Sequence, residues 1–317
     1  MPELDRGTAS RNLPSPGGAT GGWTLELVDG CVWRVTAEDV AAARLVEALG
    51  AAMRATTEEA ARGAGRPLRE LTLAASPSVP LVPLALAPVL WEARSGRPAR
   101  VVVASSRKGD RRVSFQMPRL ATLLGLEAQS RGGALVHGGL AVRPGPDGPA
   151  GVLLAGRSGS GKSTASGRLP LPWVSWSDDL SLLARCGDGS YRVHPWPTWS
   201  RFLNGGPGGS WPSSRSVPLR ALFFLDHAPV DRAEPLSTGQ AVAELFESFK
   251  AATLHTVRHF DPRSTHAVRG EWLEIACAVA RRVPAFHLRL TLTGSFWDEL
   301  DRCLAVAQDL AGRSPLG

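Results

Sequence analysis

The nine residues Gly156-Arg157-Ser158-Gly159-Ser160-Gly161-Lys162-Ser163-Thr164 satisfy the pattern G-x4-G-K-[ST] at every fixed position. Just before them stands Gly151–Ala155 (GVLLA), a short unbroken apolar run of the kind buried on both faces of a sheet. A strand, a glycine-rich loop and a helix start in that order confine this half of the chain to an α/β architecture with a mostly central sheet.

The loop has the physical logic of a phosphate cradle. Glycines at 156, 159 and 161 permit the turn and let backbone N–H groups approach a polyphosphate closely. The helix that follows adds further donors and a partial positive charge. The pattern assigns Lys162 to the β- and γ-phosphates and the Ser163 hydroxyl to Mg²⁺, with Arg157, Ser158, Ser160 and Thr164 completing the cradle. ATP or a related nucleotide is the expected ligand.

Composition narrows the class. With 317 residues, 43% hydrophobic and 21% charged, the chain has room for one large globular domain or two modest ones. No apolar run approaches the roughly 20 residues that span a bilayer. A net charge of +7 raises the question of a nucleic-acid partner. Yet only three of the 36 basic residues are lysines, and the arginines are dispersed, not gathered on one stripe. The bias toward Arg, Ala, Gly and Pro fits a GC-rich coding sequence, so nucleic acid is not expected. Cys31, Cys186, Cys277 and Cys303 form no CxxC pair and read as isolated thiols of a reducing cytoplasm.

Residues 1–22, rich in Gly, Pro, Ser and Thr, read as a disordered leader. A small α/β domain is expected over 23–128. It begins with a hairpin at Trp23–Thr36 around Asp29-Gly30 and a helix over Ala37–Ala60 with Asp39 in its first turn. Strands follow at Leu71–Ala75 and Val101–Ser105 with a helical Leu84–Ser95 between them, then a helix over Met117–Ala128. The larger α/β domain, 129–317, holds strands at Ala134–Val136, Leu140–Arg143, Gly151–Ala155, Leu222–Leu225 and Phe286–Leu292. Its helices are expected over Ala241–Ala252, Trp272–Arg282 and Phe296–Ala311.

The loop does not by itself fix a reaction. Leu236-Ser237-Thr238-Gly239-Gln240 imitates the signature of transporter ATPases, but the apolar run ending in an acid, Leu222–Asp226, precedes it instead of following it. The segment reads as a helix start capped by Ser237 or Thr238. A small-molecule kinase would need an arginine-rich lid, and none stands out. Asp178 and Asp179 follow Trp173–Ser177, a further expected strand running parallel to the loop's own. That strand would deliver both carboxylates to the edge where the nucleotide lies. One can hold Mg²⁺ and the other can accept a proton from an attacking hydroxyl, provided the strand ends at Ser177 so that both reach the site.

His137-Gly138-Gly139, then GVLLAGRSGSGKST, then SWSDDL together resemble the catalytic domain of the HPr kinase/phosphorylase family, over Gly132–Leu183 and more loosely to the C-terminus. Within that family, Arg168–Trp173 (RLPLPW) and His194–Ser200 (HPWPTWS) are similar to the kinase-like protein of SynChlorMet peptide-modification cassettes, ScmC. The resemblance implies a P-loop kinase that moves phosphate from ATP to a serine or threonine hydroxyl of a small protein or peptide. It places Lys162 and Ser163 at phosphates and Mg²⁺, Asp178 as base, Asp179 beside the metal and His137 near the γ-phosphate, with the two aspartates' roles interchangeable. It also implies a homo-oligomer. The chain lacks the family's later glycine-rich signature, so phosphorylase activity is not expected, and its front domain does not match the usual accessory domain. The alternative is a nucleotide-binding accessory protein that presents a peptide to partner enzymes without transferring phosphate. Trp173, Trp176, Trp196, Trp199 and Trp211 read first as core aromatics; the alternative, beside the glycine-rich Asn204–Ser210, is a wall and lid over a peptide that includes Trp196 and Trp199.

Overall fold

The computed structural model describes residues 22–57, 68–74, 84–86, 89–92, 99–103, 111–146, 148–198, 209–258 and 260–312. Apart from Gly22, the expected leader lies outside them. Among the described residues the strands form two mixed sheets, one of seven strands and one of nine, with six α-helices.

The front sheet opens with the expected hairpin. β1 (Trp23–Glu26) and β2 (Val32–Ala37) pair antiparallel around a turn in which Gly30 takes φ +83° and Asp29 Oδ1 accepts the Cys31 N–H. Helix α1 (Val40–Met53) begins where Asp39 accepts the Ala42 N–H, and it stops before its expected end because Arg54 turns left-handed. β3 (Thr56–Thr57) then returns to pair with β1. β4 (Leu68–Ala74) and β7 (Ala99–Val103) extend the sheet in parallel with β2.

The expected helix over Leu84–Ser95 is overturned. β5 (Leu84–Leu86) and β6 (Val89–Glu92) form an antiparallel hairpin at the sheet's edge. The run LALAPVLW mimics a helical apolar period, but Pro88 sits at its centre and cannot supply a helical N–H. Pairing with β7 satisfies the backbone instead. Helix α2 (Arg111–Leu126) follows and ends in a 3-10 turn, Glu127–Arg131.

The larger sheet comprises β8 (Ala134–Val136), β9 (Gly138–Arg143), β10 (Ala150–Ala155), β11 (Val174–Ser177), β12 (Ser181–Arg185), β13 (Tyr191–Pro195), β14 (Val217–His227), β15 (Arg232–Pro235) and β16 (Ala285–Leu290). Its order runs β11-β9-β10-β14-β13-β12-β8, and β16 pairs with both β14 and β15. β10, β14 and β16 are parallel and wholly or largely buried, as continuous apolar strands require. Helix α3 (Lys162–Arg168) follows β10. Helix α4 (Thr238–Val257) starts at a capping box in which Ser237 and Gln240 satisfy each other's backbone N–H groups, so LSTGQ is a helix start. Helices α5 (Pro262–Ala280) and α6 (Phe296–Gly312) complete the layers.

The front sheet and the larger sheet share a core. Leu25, Leu27, Trp33, Leu49 and Met53 belong to one buried cluster with Leu180, Leu182 and Trp196. Backbone bonds reinforce it: Trp211 N–H donates to Ala52 O and Ser213 N–H to Met53 O. No helix among the described residues is long and apolar enough to cross a membrane.

Candidate functional site

Four strand ends meet at one edge of the larger sheet. β9 is antiparallel to both β10 and β11, so β11 runs in the same direction as β10 although β9 lies between them. The end of β10, the start of β9 and the end of β11 therefore share an edge. The end of β14, parallel to β10, joins them. Register makes this specific: Gly138 stands opposite Ala155, and Leu140 opposite Ser177. His137 is thereby placed beside Gly156, and Asp178 and Asp179 follow immediately after β11.

Packing explains why two glycines follow His137. A Cβ on Gly139 would stand 2.8 Å from Ser166 Oγ and 2.9 Å from Ser177 O, and one on Gly138 would stand 3.1 Å from Ala155 Cα. Only bare backbone lets β9 sit this close to both neighbours and to α3. A serine brace then locks the bend after β11. Ser177 Oγ accepts the Leu140 N–H and lies 2.9 Å from Ser181 Oγ, which donates to Gly138 O.

The glycine-rich loop spans the gap from β10 to α3. Gly156, Gly159 and Gly161 all take positive φ (149°, 84° and 91°), the backbone freedom that the pattern anticipates. Lys162, at the first turn of α3, is buried, and its Nζ donates to Gly156 O and Arg157 O at 3.0 Å each. Burial lowers the ammonium's pKa, while the negative charge of Asp179 acts in the opposite direction. Ser160 is buried with its Oγ lacking a hydrogen-bond partner. Arg157, Ser158, Ser163 and Thr164 are exposed on the loop and the first turn.

On the β9 and β11 side, His137 Nε2 lies 3.1 Å from Asp179 Oδ1. Asp178 is buried, and Asp179 is about one-third exposed. The strand does end at Ser177, the condition set for both carboxylates to reach the edge. The backbone of His137 is tied to α4, its N–H donating to Ser248 O and its O accepting from Ser248 Oγ.

With this geometry in place, comparison with protein families matches the chain to the family described as SynChlorMet cassette protein ScmC, over residues 103–305. The chain belongs to the ScmC family. No curated protein matches it. The ScmC match takes in the glycine-rich loop, His137, the acidic pair and β14, so every element of the edge lies inside the family's span.

The structure decides between the two readings of Trp196 and adds a set of residues. Trp196 is no wall or lid: it is fully buried in the core shared with the front sheet, and its Nε1–H donates to Ala121 O. Trp199 and residues 204–208 of the glycine-rich stretch lie outside the described residues. The added set lies on the β14 side of the loop. Asp226 and His227 end β14, His287 is on β16 and Glu244 is on α4. Together with the loop's flank they line a cavity of about 450 Å³. His227 Nε2 lies 2.9 Å from Gly159 O, and His287 Nε2 lies 3.9 Å from Asp226 Oδ2. The sequence signal for Asp226 and His227 is the run Leu222–Leu225 ending in Asp-His, on what proves to be the parallel neighbour of β10. Among the described residues no group of three or more His, Cys, Asp or Glu is arranged as a ready metal site.

Proposed function

We propose that this ScmC-family chain is a P-loop kinase, related to HPr kinase, that transfers the γ-phosphate of ATP to a serine or threonine hydroxyl of a small protein or peptide. One observation supports it above the rest: a carboxylate pair and a histidine share the sheet edge with a buried lysine in a glycine-rich loop, all within one register of β9. The residues present suit the ligands. Three positive-φ glycines bare the loop's N–H groups, and a buried ammonium held by loop carbonyls is ready to exchange them for phosphate oxygens.

In this reading Lys162 and the loop N–H groups hold the β- and γ-phosphates, and Ser163 and Asp179 hold Mg²⁺. The metal, when bound, offsets the charge on the phosphate oxygens. His137 fixes the orientation of Asp179 through their hydrogen bond. Asp178 takes the proton from the acceptor hydroxyl as that oxygen bonds to the γ-phosphorus and the bond to the departing ADP breaks.

The experiment is phosphate transfer from γ-labelled ATP with Mg²⁺ to small peptides encoded beside the gene, using wild type, Lys162→Ala and Asp178→Asn. Label on a peptide hydroxyl with wild type alone supports the kinase. ATP binding that requires Lys162, with no transfer and with partner-enzyme support intact in Asp178→Asn, replaces it with the accessory role.

A further inference from the structure

The candidate catalytic groups occupy only one side of the glycine-rich loop. β10 has β9, and beyond it β11, on one flank, and β14, and beyond it β16, on the other. His137, Asp178 and Asp179 all belong to the first flank. The cavity of about 450 Å³ belongs to the second, and its wall includes the loop residues themselves. A polyphosphate is a linear chain. If its γ end faces the acidic pair, its α end leaves the loop toward β14 and β16.

Beside the loop residues Gly156–Ser160, which belong to the phosphate cradle, the rest of the cavity lining suits what is attached to phosphate. Asp226 and Glu244 bring two carboxylates to the cavity, which repel further phosphate oxygens but accept hydrogen bonds from hydroxyl and N–H donors. His287, in register with Phe224 on the neighbouring strand, adds an imidazole face. The volume falls within the roughly 300–1,000 Å³ of pockets that enclose small organic ligands. Position is fixed as well as chemistry. His227 on β14 bonds to the Gly159 carbonyl at the loop's tip, which ties the cavity wall to the cradle. Ser160 lines the same cavity and is buried with its hydroxyl lacking a partner, a polar group in want of a ligand or water at the point where cradle and cavity join.

We infer that this cavity is the nucleoside subsite of the loop: it takes the ribose and base of a nucleoside triphosphate, with Asp226 and Glu244 accepting hydrogen bonds from the ribose hydroxyls and base N–H groups. The inference rests on the phosphate-cradle reading of the loop, and its test separates the two. Binding of ATP and of inorganic tripolyphosphate, each with Mg²⁺, is measured by calorimetry on the full chain. The proteins are wild type, Lys162→Ala, Asp226→Asn and Glu244→Gln, with thermal melts confirming that each is folded.

Lys162→Ala should weaken both ligands. Asp226→Asn and Glu244→Gln should each weaken ATP by about tenfold, the worth of one hydrogen bond to a charged group, and leave tripolyphosphate within about twofold. Variants that leave ATP binding unchanged, or that weaken both ligands equally, overturn the nucleoside subsite while the cradle stands. Wild-type protein that binds neither ligand, or Lys162→Ala that binds both normally, overturns the cradle and the subsite together.

Discussion

His137 Nε2 and Asp179 Oδ1 meet at 3.1 Å although 42 residues separate them in the chain. The contact joins the start of β9 to the bend after β11, and it orients the carboxylate whose charge Lys162 also feels. Removing the imidazole should leave the loop intact and deprive the carboxylate of this one contact. For the proposed kinase, His137→Ala is expected to lower phosphoryl-transfer turnover by about tenfold or more, as loss of an orienting partner does elsewhere. ATP affinity should be largely kept, and His137→Gln should recover part of the loss. Separate kcat and KM values check this, since a purely structural defect would not be rescued by the conservative change.

Gly139 has no room for a methyl group. Its Cβ would press on Ser177 O, Ser166 Oγ and the Asp178 carbonyl carbon, two of them backbone atoms that cannot swing aside. Gly139→Ala should cost about 1–3 kcal/mol, the usual range for overpacking. The same push displaces Asp178, so activity per folded molecule should fall too. Urea titration together with a transfer assay tests both halves.

Trp196→Ala should be among the most damaging single changes in the chain. The side chain is fully buried in the core shared by the two sheets, and its N–H bonds to Ala121 O. Large-aromatic deletions of this kind cost about 3–5 kcal/mol. The expected readout is a large fall in melting temperature with no specific change in peptide affinity beyond the unfolded fraction.

Acid should weaken the fold through His194. The ring is buried and neutral: Val28 N–H donates to its Nε2 and its Nδ1–H donates to Ser213 O. Burial holds its pKa down to about 4, against a usual value of 6.5. The unfolded chain therefore takes up a proton as the pH falls through about 6.5, while the folded chain does not until about 4. Stability from this residue is intact above 6.5 and is lost progressively down to pH 4, by about 3 kcal/mol in all. Urea midpoints from pH 7.5 to 4.5 should fall more steeply for wild type than for His194→Gln.

Much of the edge is legible in the residues alone. The loop, the helix after it, the acidic pair and the histidine each carry a short-range pattern, because each sits within a few residues of the strand end that presents it. What pattern cannot supply is lateral order. Nothing near Trp173–Ser177 says that β9 separates it from β10, or that Asp226 and His227 flank the loop on the other side. Leu84–Glu92 misleads because an apolar run broken by proline fits a helix locally and a hairpin globally, and β7 decides between them. Trp196 stays open between core and lid in the sequence because its neighbours, Ala121 and the front-sheet hairpin, lie far away in the chain.

The core common to the two sheets carries a thermodynamic consequence. Leu180 and Leu182 come directly after the acidic pair, yet they are packed with the hairpin and α1. Neither layer can open without stripping apolar surface from the other, so heat should melt them in a single cooperative transition. A lesion in the hairpin is then also a lesion at the sheet edge: it lowers the fraction of molecules in which Asp178 and Asp179 stand over the loop at all.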